Sequence, residues 1–171
     1  MNLEQKCQAI ELLITDVDGV LTDGGVILNN EGVESKQFHI RDGFGLRLWR
    51  QAGFKCGVIT GRNSQVVRLR AQELGMDIVR QGIQDKATVA EELLQKFNLQ
   101  PKQLAYVGDD LIDLGVIRLA GLGIAVADAA DEVKAAADYT TKTPGGKGAI
   151  REVVELILKA KKVWNDIIQT Y

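Results

Sequence analysis

Asp16 and Asp18 follow directly on the apolar run Leu12-Leu13-Ile14. Carboxylates at the end of a buried strand are costly to desolvate unless a cation or a reaction answers them. Three later segments fit the same chemistry: Val58-Ile59-Thr60-Gly61-Arg62, Lys86, and Val107-Gly108-Asp109-Asp110-Leu111-Ile112-Asp113. Clustered carboxylates repel one another unless a hard cation neutralises them, and Mg²⁺ prefers oxygen ligands. A divalent ion, Lys86 and backbone amides together would cradle a phosphate dianion. One Asp could then attack phosphorus to form an acyl phosphate, while a second protonates the leaving oxygen and later deprotonates a water.

The elements that must position these residues alternate in type. Strand-like runs are expected over Glu11 to Asp16, Lys55 to Thr60, Asp77 to Arg80, Leu104 to Gly108, Leu122 to Val126 and Asp138 to Thr141. Helical patterns are expected over Asp42 to Ala52, Ser64 to Leu74, Lys86 to Phe97, Leu111 to Ala120, Asp131 to Ala137 and Gly148 to about Trp164. Ser64 suits an N-cap, and Gly75 stands just past a helix end. Repeated β–α alternation with continuous apolar strands predicts an α/β fold, a doubly wound Rossmann-like parallel sheet with helices on both faces. Ligands of such sheets bind outside the carboxyl ends of the strands. Asp16, Thr60 and Asp109 each fall at such an end, and Asp18 and Lys86 can join them. One stretch interrupts the alternation. Val26 to about Ile40 reads as a β-hairpin after strand 1, with its turn at Asn29 to Gly32.

Bulk properties narrow the classes. At 171 residues, with no linker or repeat, the chain is expected to form one domain over 1–171. Its 21 basic and 23 acidic residues give a formal charge of −2, which offers no footprint for nucleic acid. Cys7 and Cys56 provide no disulfide framework, and Cys56 fits a small core residue. Met1 to Ile10 is mostly polar, without the pattern of a signal peptide. No apolar run approaches the roughly 20 residues needed to cross a bilayer. The expected location is the cytoplasm, with no membrane or nucleic-acid partner.

The four ordered segments resemble the motifs of the haloacid dehalogenase-like (HAD) phosphohydrolase superfamily. The likeness extends over nearly the whole chain, through Ile14 to Gly24, Phe38-His39-Ile40-Arg41-Asp42-Gly43, Tyr106 to Asp113, Val126-Ala127-Asp128-Ala129 and Gly145-Gly146-Lys147-Gly148 followed by Ile150-Arg151-Glu152. In these stretches it looks like the 3-deoxy-D-manno-octulosonate 8-phosphate (KDO 8-phosphate) phosphatases. The resemblance implies Asp16 as nucleophile and Asp18 as general acid/base. It implies Mg²⁺ held by Asp16, the Asp18 main-chain carbonyl and Asp109. Thr60, Gly61 and Lys86 would bind phosphate. Arg62 would contact a substrate carboxylate or phosphate, and Arg41 and Asp42 would touch the sugar from the same or a neighbouring subunit. Asp110 and Asp113 would support them, Asp113 by orienting Lys86 or a water. Spacing between Asp18, Thr60 and Lys86 leaves no room for a cap domain. The family is a homotetramer in which hairpins assemble and neighbours cover each site, so the Val26–Ile40 hairpin is the expected oligomer contact. Relatives often end in a mobile glycine-containing tail. Lys161 to Tyr171 has no glycine, and a helical end docked through Trp164, Ile167 and Ile168 is expected instead.

Other readings attach to the same residues. Arg62 fits a surface arginine, and Asp23 and Asp42 fit turns. His39 reads as a structural residue alternating along a strand. Gly145 to Gly148 fits a tight turn into the last helix better than a phosphate cradle. For the whole chain the alternatives are a phosphatase of nine-carbon ulosonate (KDN or N-acylneuraminate) 9-phosphates, a phosphoacceptor receiver domain, and a non-catalytic oligomerisation module.

Overall fold

A computed structural model describes residues 1–171. Six parallel strands form the central sheet: β1 (Leu12–Thr15), β4 (Lys55–Ile59), β5 (Ile78–Arg80), β6 (Leu104–Gly108), β7 (Leu122–Ala125) and β8 (Tyr139–Thr140). Their order is β5-β4-β1-β6-β7-β8. Leu12, Leu13 and Ile14 are fully buried, as strands covered on both faces must be. The register pairs Thr15 with Val58 on one side and with Val107 on the other. The residues just beyond these positions, Asp16, Thr60 and Asp109, therefore emerge together. The chain winds outward from β1 through β4 to β5, then returns to β6 and winds the other way. The crevice opens where those directions part.

Helices α2 (Ile40–Gln51), α3 (Gln65–Leu74) and α7 (Ala149–Ala160), with α1 (Leu3–Ala9), make one layer. Helices α4 (Lys86–Lys96), α5 (Leu114–Leu119) and α6 (Asp131–Ala136) make the other. Right-handed crossovers in opposite winding directions place the two groups on opposite faces. A continuous cluster of 40 buried apolar residues joins sheet and helices. No helix is long and apolar enough to cross a membrane.

Ser64 N-caps α3 through its side chain, accepting from the Val67 N–H, and Gly75 closes that helix with φ +64°. Elsewhere the structure departs from the sequence expectation. Helix α1 was not foreseen. It is short, and an Asn2/Gln5 capping box holds its first turn while Cys7 is buried against the core. The final helix is not continuous. It ends at Ala160, where Lys162 takes φ +62° and the Val163 N–H returns to the Leu158 carbonyl. This Schellman turn then leads into α8 (Trp164–Ile168). Of the expected docking residues, Ile167 is buried and Trp164 packs on the core, whereas Ile168 is 46% exposed.

The hairpin pairs only β2 (Ile27–Leu28) with β3 (Glu34–Ser35) and does not run on to Ile40. Its turn is an Asn29 device, the side-chain oxygen accepting from the Glu31 and Val33 N–H groups, each at 2.9 Å. Beyond Ser35 the chain turns in toward the sheet and α2 begins at Ile40. His39 accordingly sits at the α2 N-terminus and not in a strand, with its Nδ1 buried and unpartnered.

Candidate active site

Asp16, Asp18, Thr60, Gly61, Arg62, Lys86, Asp109 and Asp110 line one open crevice at the carboxyl edge of the sheet. Lys86, the first residue of α4, is 1% exposed. Its ammonium stands 2.8 Å from Asp113 Oδ1 and 2.9 Å from Asp16 Oδ1. The first contact is an aligned hydrogen bond. The second is an ion pair off the hydrogen-bonding direction, so Asp16 Oδ1 keeps an unused lone pair.

Asp113 lies below the crevice, fully buried. Oδ1 accepts from Lys86 Nζ and from the Tyr106 hydroxyl at 2.6 Å, and Oδ2 from the backbone N–H groups of Asp109 and Asp110. Both oxygens are thus committed within the protein. Asp110 is exposed, and its side chain caps the turn Leu111–Asp113 by accepting from the Leu111 N–H at 2.7 Å.

Asp16 and Asp109 differ from Asp113 in having oxygens to spare. Asp109 Oδ1 is buried with no hydrogen-bond partner, like Asp16 Oδ1. Burial pushes the Asp16 carboxyl up to about 6 against the pull of Lys86. Burial, then the charges of Asp16 and Asp113, push Asp109 up to about 7. One oxygen from each of Asp16, Asp109 and Asp113 falls within 4.8 Å of the others. Because Asp113 is saturated, the pair available to a hard cation is Asp16 and Asp109, and their unanswered oxygens fit Mg²⁺.

The loop after β1 needs glycine to approach so closely. Gly19 has φ +87°, and a Cβ there would lie 2.0 Å from Asp109 Oδ2. Gly145 packs on the same loop, where a Cβ would lie 1.7 Å from the Gly19 carbonyl oxygen. The Gly145–Gly148 segment is therefore the tight turn expected, tied down by the Gly146 N–H donating to the Val20 carbonyl.

Thr60 is buried behind the crevice rim, its hydroxyl oxygen 3.4 Å from the Arg62 N–H that donates to it. Arg41 and Asp42 are not brought to the crevice. Arg41 is exposed on the first turn of α2. Asp42 is 1% exposed, and it accepts from the Arg151 N–H at 2.9 Å and the Gly148 N–H at 3.2 Å. It satisfies the free N–H groups opening α7, where the helix dipole favours a carboxylate. In this chain Asp42 is thus occupied as a cap and lies outside the lining of its own crevice. The helix begins at Ile40, two residues before the expected start, and this turns Asp42 inward.

A model of the haloacid dehalogenase-like hydrolases matches residues 63–153. The 3-deoxy-D-manno-octulosonate 8-phosphate phosphatase of Yersinia pestis is 45% identical over 157 residues, 92% of this chain and 84% of that protein. This chain belongs to the haloacid dehalogenase-like hydrolases. Within that family it falls in the branch of the KDO 8-phosphate phosphatases. The Moraxella catarrhalis phosphatase of that name, solved with a magnesium ion, a phosphate ion and KDO, superposes with TM-score 0.96 at 45% identity. The match covers 98% of this chain and 96% of that one. The cobalt-bound Haemophilus influenzae phosphatase gives TM-score 0.89 at 40% identity, covering 92% of each chain.

For a haloacid dehalogenase-like hydrolase without a cap, the hairpin contributes more than sequence reasoning assigned to it. Lys36 pairs with Asp18 Oδ1, and Glu34 accepts from Arg62 Nη2 at 3.0 Å and from the Ser64 hydroxyl. Arg62 Nε stands 3.9 Å from Asp18 Oδ2. Glu34 and Lys36 are two residues apart, so they leave an extended chain on the same side. That spacing was the available signal, and reading the hairpin only as an outward contact hid it. Tyr106 was likewise hidden, because an aromatic in an apolar strand reads as core until its hydroxyl is seen on Asp113.

Proposed function

We propose that this chain hydrolyses 3-deoxy-D-manno-octulosonate 8-phosphate to KDO and inorganic phosphate. The carrying observation is that Asp16 and Asp109 each keep a buried carboxylate oxygen without a hydrogen bond, beside the buried ammonium of Lys86. Identity of 45% to a phosphatase of that name supports the substrate. Asp16, the Asp18 main-chain carbonyl and Asp109 would hold Mg²⁺. When bound, that ion neutralises charge on the transferring phosphoryl group.

Asp16 attacks phosphorus in line, giving an aspartyl-phosphate as the ester oxygen departs with a proton from Asp18. Water then attacks phosphorus, Asp18 takes its proton and Asp16 is released. Lys86 and the Thr60–Gly61 segment hold the phosphoryl oxygens, with the ammonium aimed by Asp113. Arg62, on the crevice rim, meets the sugar acid. Arg41 reaches substrate only across a subunit boundary, since its own crevice is out of contact. The reading includes a homotetramer assembled through the hairpins. It is supported by Val26, Ile27, Leu28 and Val33, each more than half exposed on one small hairpin. Two free cysteines suit a reducing compartment, and the reading places the enzyme in the cytoplasm.

The test is phosphate release from KDO 8-phosphate, nine-carbon ulosonate 9-phosphates and hexose phosphates, with and without Mg²⁺, beside Asp16→Asn. Mg²⁺-dependent preference for KDO 8-phosphate, lost in the variant, is the expected result. Preference for a nine-carbon acid would change the substrate and keep the mechanism. Release from none of them would overturn the reading.

A further inference from the structure

The hairpin brings a charged side chain to the acid/base carboxylate. Lys36 keeps only 1% of its side chain exposed, so its ammonium has left water and depends on carboxylates for compensation. Those are Asp18 Oδ1, with which it pairs, and Glu34 Oε1 at 3.3 Å. Glu34 is itself fixed by Arg62 and by Ser64, the N-cap of α3. The hairpin is thus fastened to the crevice wall through Glu34, and Lys36 is held against Asp18. On the other Asp18 oxygen, Oδ2, the nearest cation is Arg62 Nε at 3.9 Å, beyond hydrogen-bonding distance.

We propose that Lys36 is a positioning residue for Asp18. By holding Oδ1 it fixes the plane of the carboxyl group and leaves Oδ2 as the oxygen that exchanges the proton. This rests on the reading of Asp16 as nucleophile and Asp18 as acid/base. In the first half-reaction the Asp16 O–P bond forms, the P–O ester bond breaks, and the proton on Asp18 Oδ2 passes to the leaving oxygen. In the second, a water O–P bond forms, the Asp16 O–P bond breaks, and a water proton returns to Oδ2. Lys36 remains an ammonium throughout and touches neither substrate nor phosphorus.

Lys36→Met keeps the buried stem and removes the ammonium. With the Mg²⁺-loaded enzyme, kcat on KDO 8-phosphate should fall about tenfold or more while KM stays within about threefold. A second substrate separates orientation from simple loosening. p-Nitrophenyl phosphate has a leaving group that needs little protonation, so phosphorylation of Asp16 is spared and its hydrolysis is slowed. Lys36→Met should then show a burst of p-nitrophenol and a raised steady-state level of acid-quenched phosphoenzyme. Lys36→Arg should restore most of the rate. A folded Lys36→Met enzyme with wild-type kcat, or with lowered kcat and no burst, overturns the proposal. If that variant does not fold, Glu34→Gln, which loosens the same ammonium, is read by the same burst and quench. Wild-type enzyme that forms no phosphoenzyme, or an active Asp16→Asn, defeats instead the reading on which the proposal stands.

Discussion

Asp16 and Asp109 face one crevice with buried oxygens that no hydrogen bond occupies, and burial pushes their carboxyl groups up from the ordinary 3.8 to about 6 and about 7. Raised folded values mean that the metal-free protein binds more protons than its unfolded chain across that window. Its stability therefore falls as pH rises from about 4 to about 7; the penalty is absent below the unfolded value and complete above the folded one. Mg²⁺ competes with those protons and cancels the repulsion. The gain in Tm on adding Mg²⁺ should be larger at about pH 7.5 than at about pH 5, and Asp109→Asn should remove most of the difference. A calorimetric comparison with and without chelator reads this directly. Equal gains at both pH values in the wild type would count against these two residues as the cation's ligands.

At the scale of elements, Asp42 couples the start of α2 to the start of α7. Burial raises its carboxyl above the ordinary range although the Arg151 and Gly148 N–H groups pull it down. Asp42→Ala should cost about 1–2 kcal/mol, the loss of a helix cap, with KM for the sugar phosphate unchanged. Denaturant melts and steady-state kinetics separate that outcome from a substrate contact, which would raise KM. Gly19→Ala should behave oppositely. Its methyl would enter the space of Asp109 Oδ2 at a backbone φ of +87°, so the site itself must move. Mg²⁺ affinity, by isothermal titration, and turnover should both be lost while the sheet's circular dichroism persists.

Taken as one molecule, the chain carries exposed apolar groups at its hairpin and at Ile40, which is 76% exposed, and a crevice with no cap of its own. Covering one with the other is the simplest use of both in an assembly. Ile27→Asp with Val33→Asp should reduce the solution mass measured by light scattering and lower activity without unfolding the protomer. Unchanged mass would remove the hairpin from the interface.

Chemistry-bearing residues were legible because their signals are local. Asp16, Thr60 and Asp109 each end an apolar run, Ser64 and Gly75 bracket a helix, and alternating β and α patterns admit little besides a parallel sheet. Legibility failed where a residue's partner lies far along the chain. Asp42 reads as a turn residue or a sugar contact until α7 is placed beside it, 106 residues away at Gly148. Lys86 is one lysine among many until Asp113 and Asp16 surround it. Lys36 looked like part of an exposed hairpin and is buried on Asp18, and the break at Lys162 is set by a backbone turn that helical periodicity does not register. The strands of the central sheet and the carboxylates at their ends follow from the order of residues alone, since apolar periodicity and strand termini are properties of neighbouring residues. Tertiary structure alone decided which oxygens remain free for a cation, which acids are consumed as caps and supports, and which lysine reaches Asp18, because each depends on close contacts between distant segments.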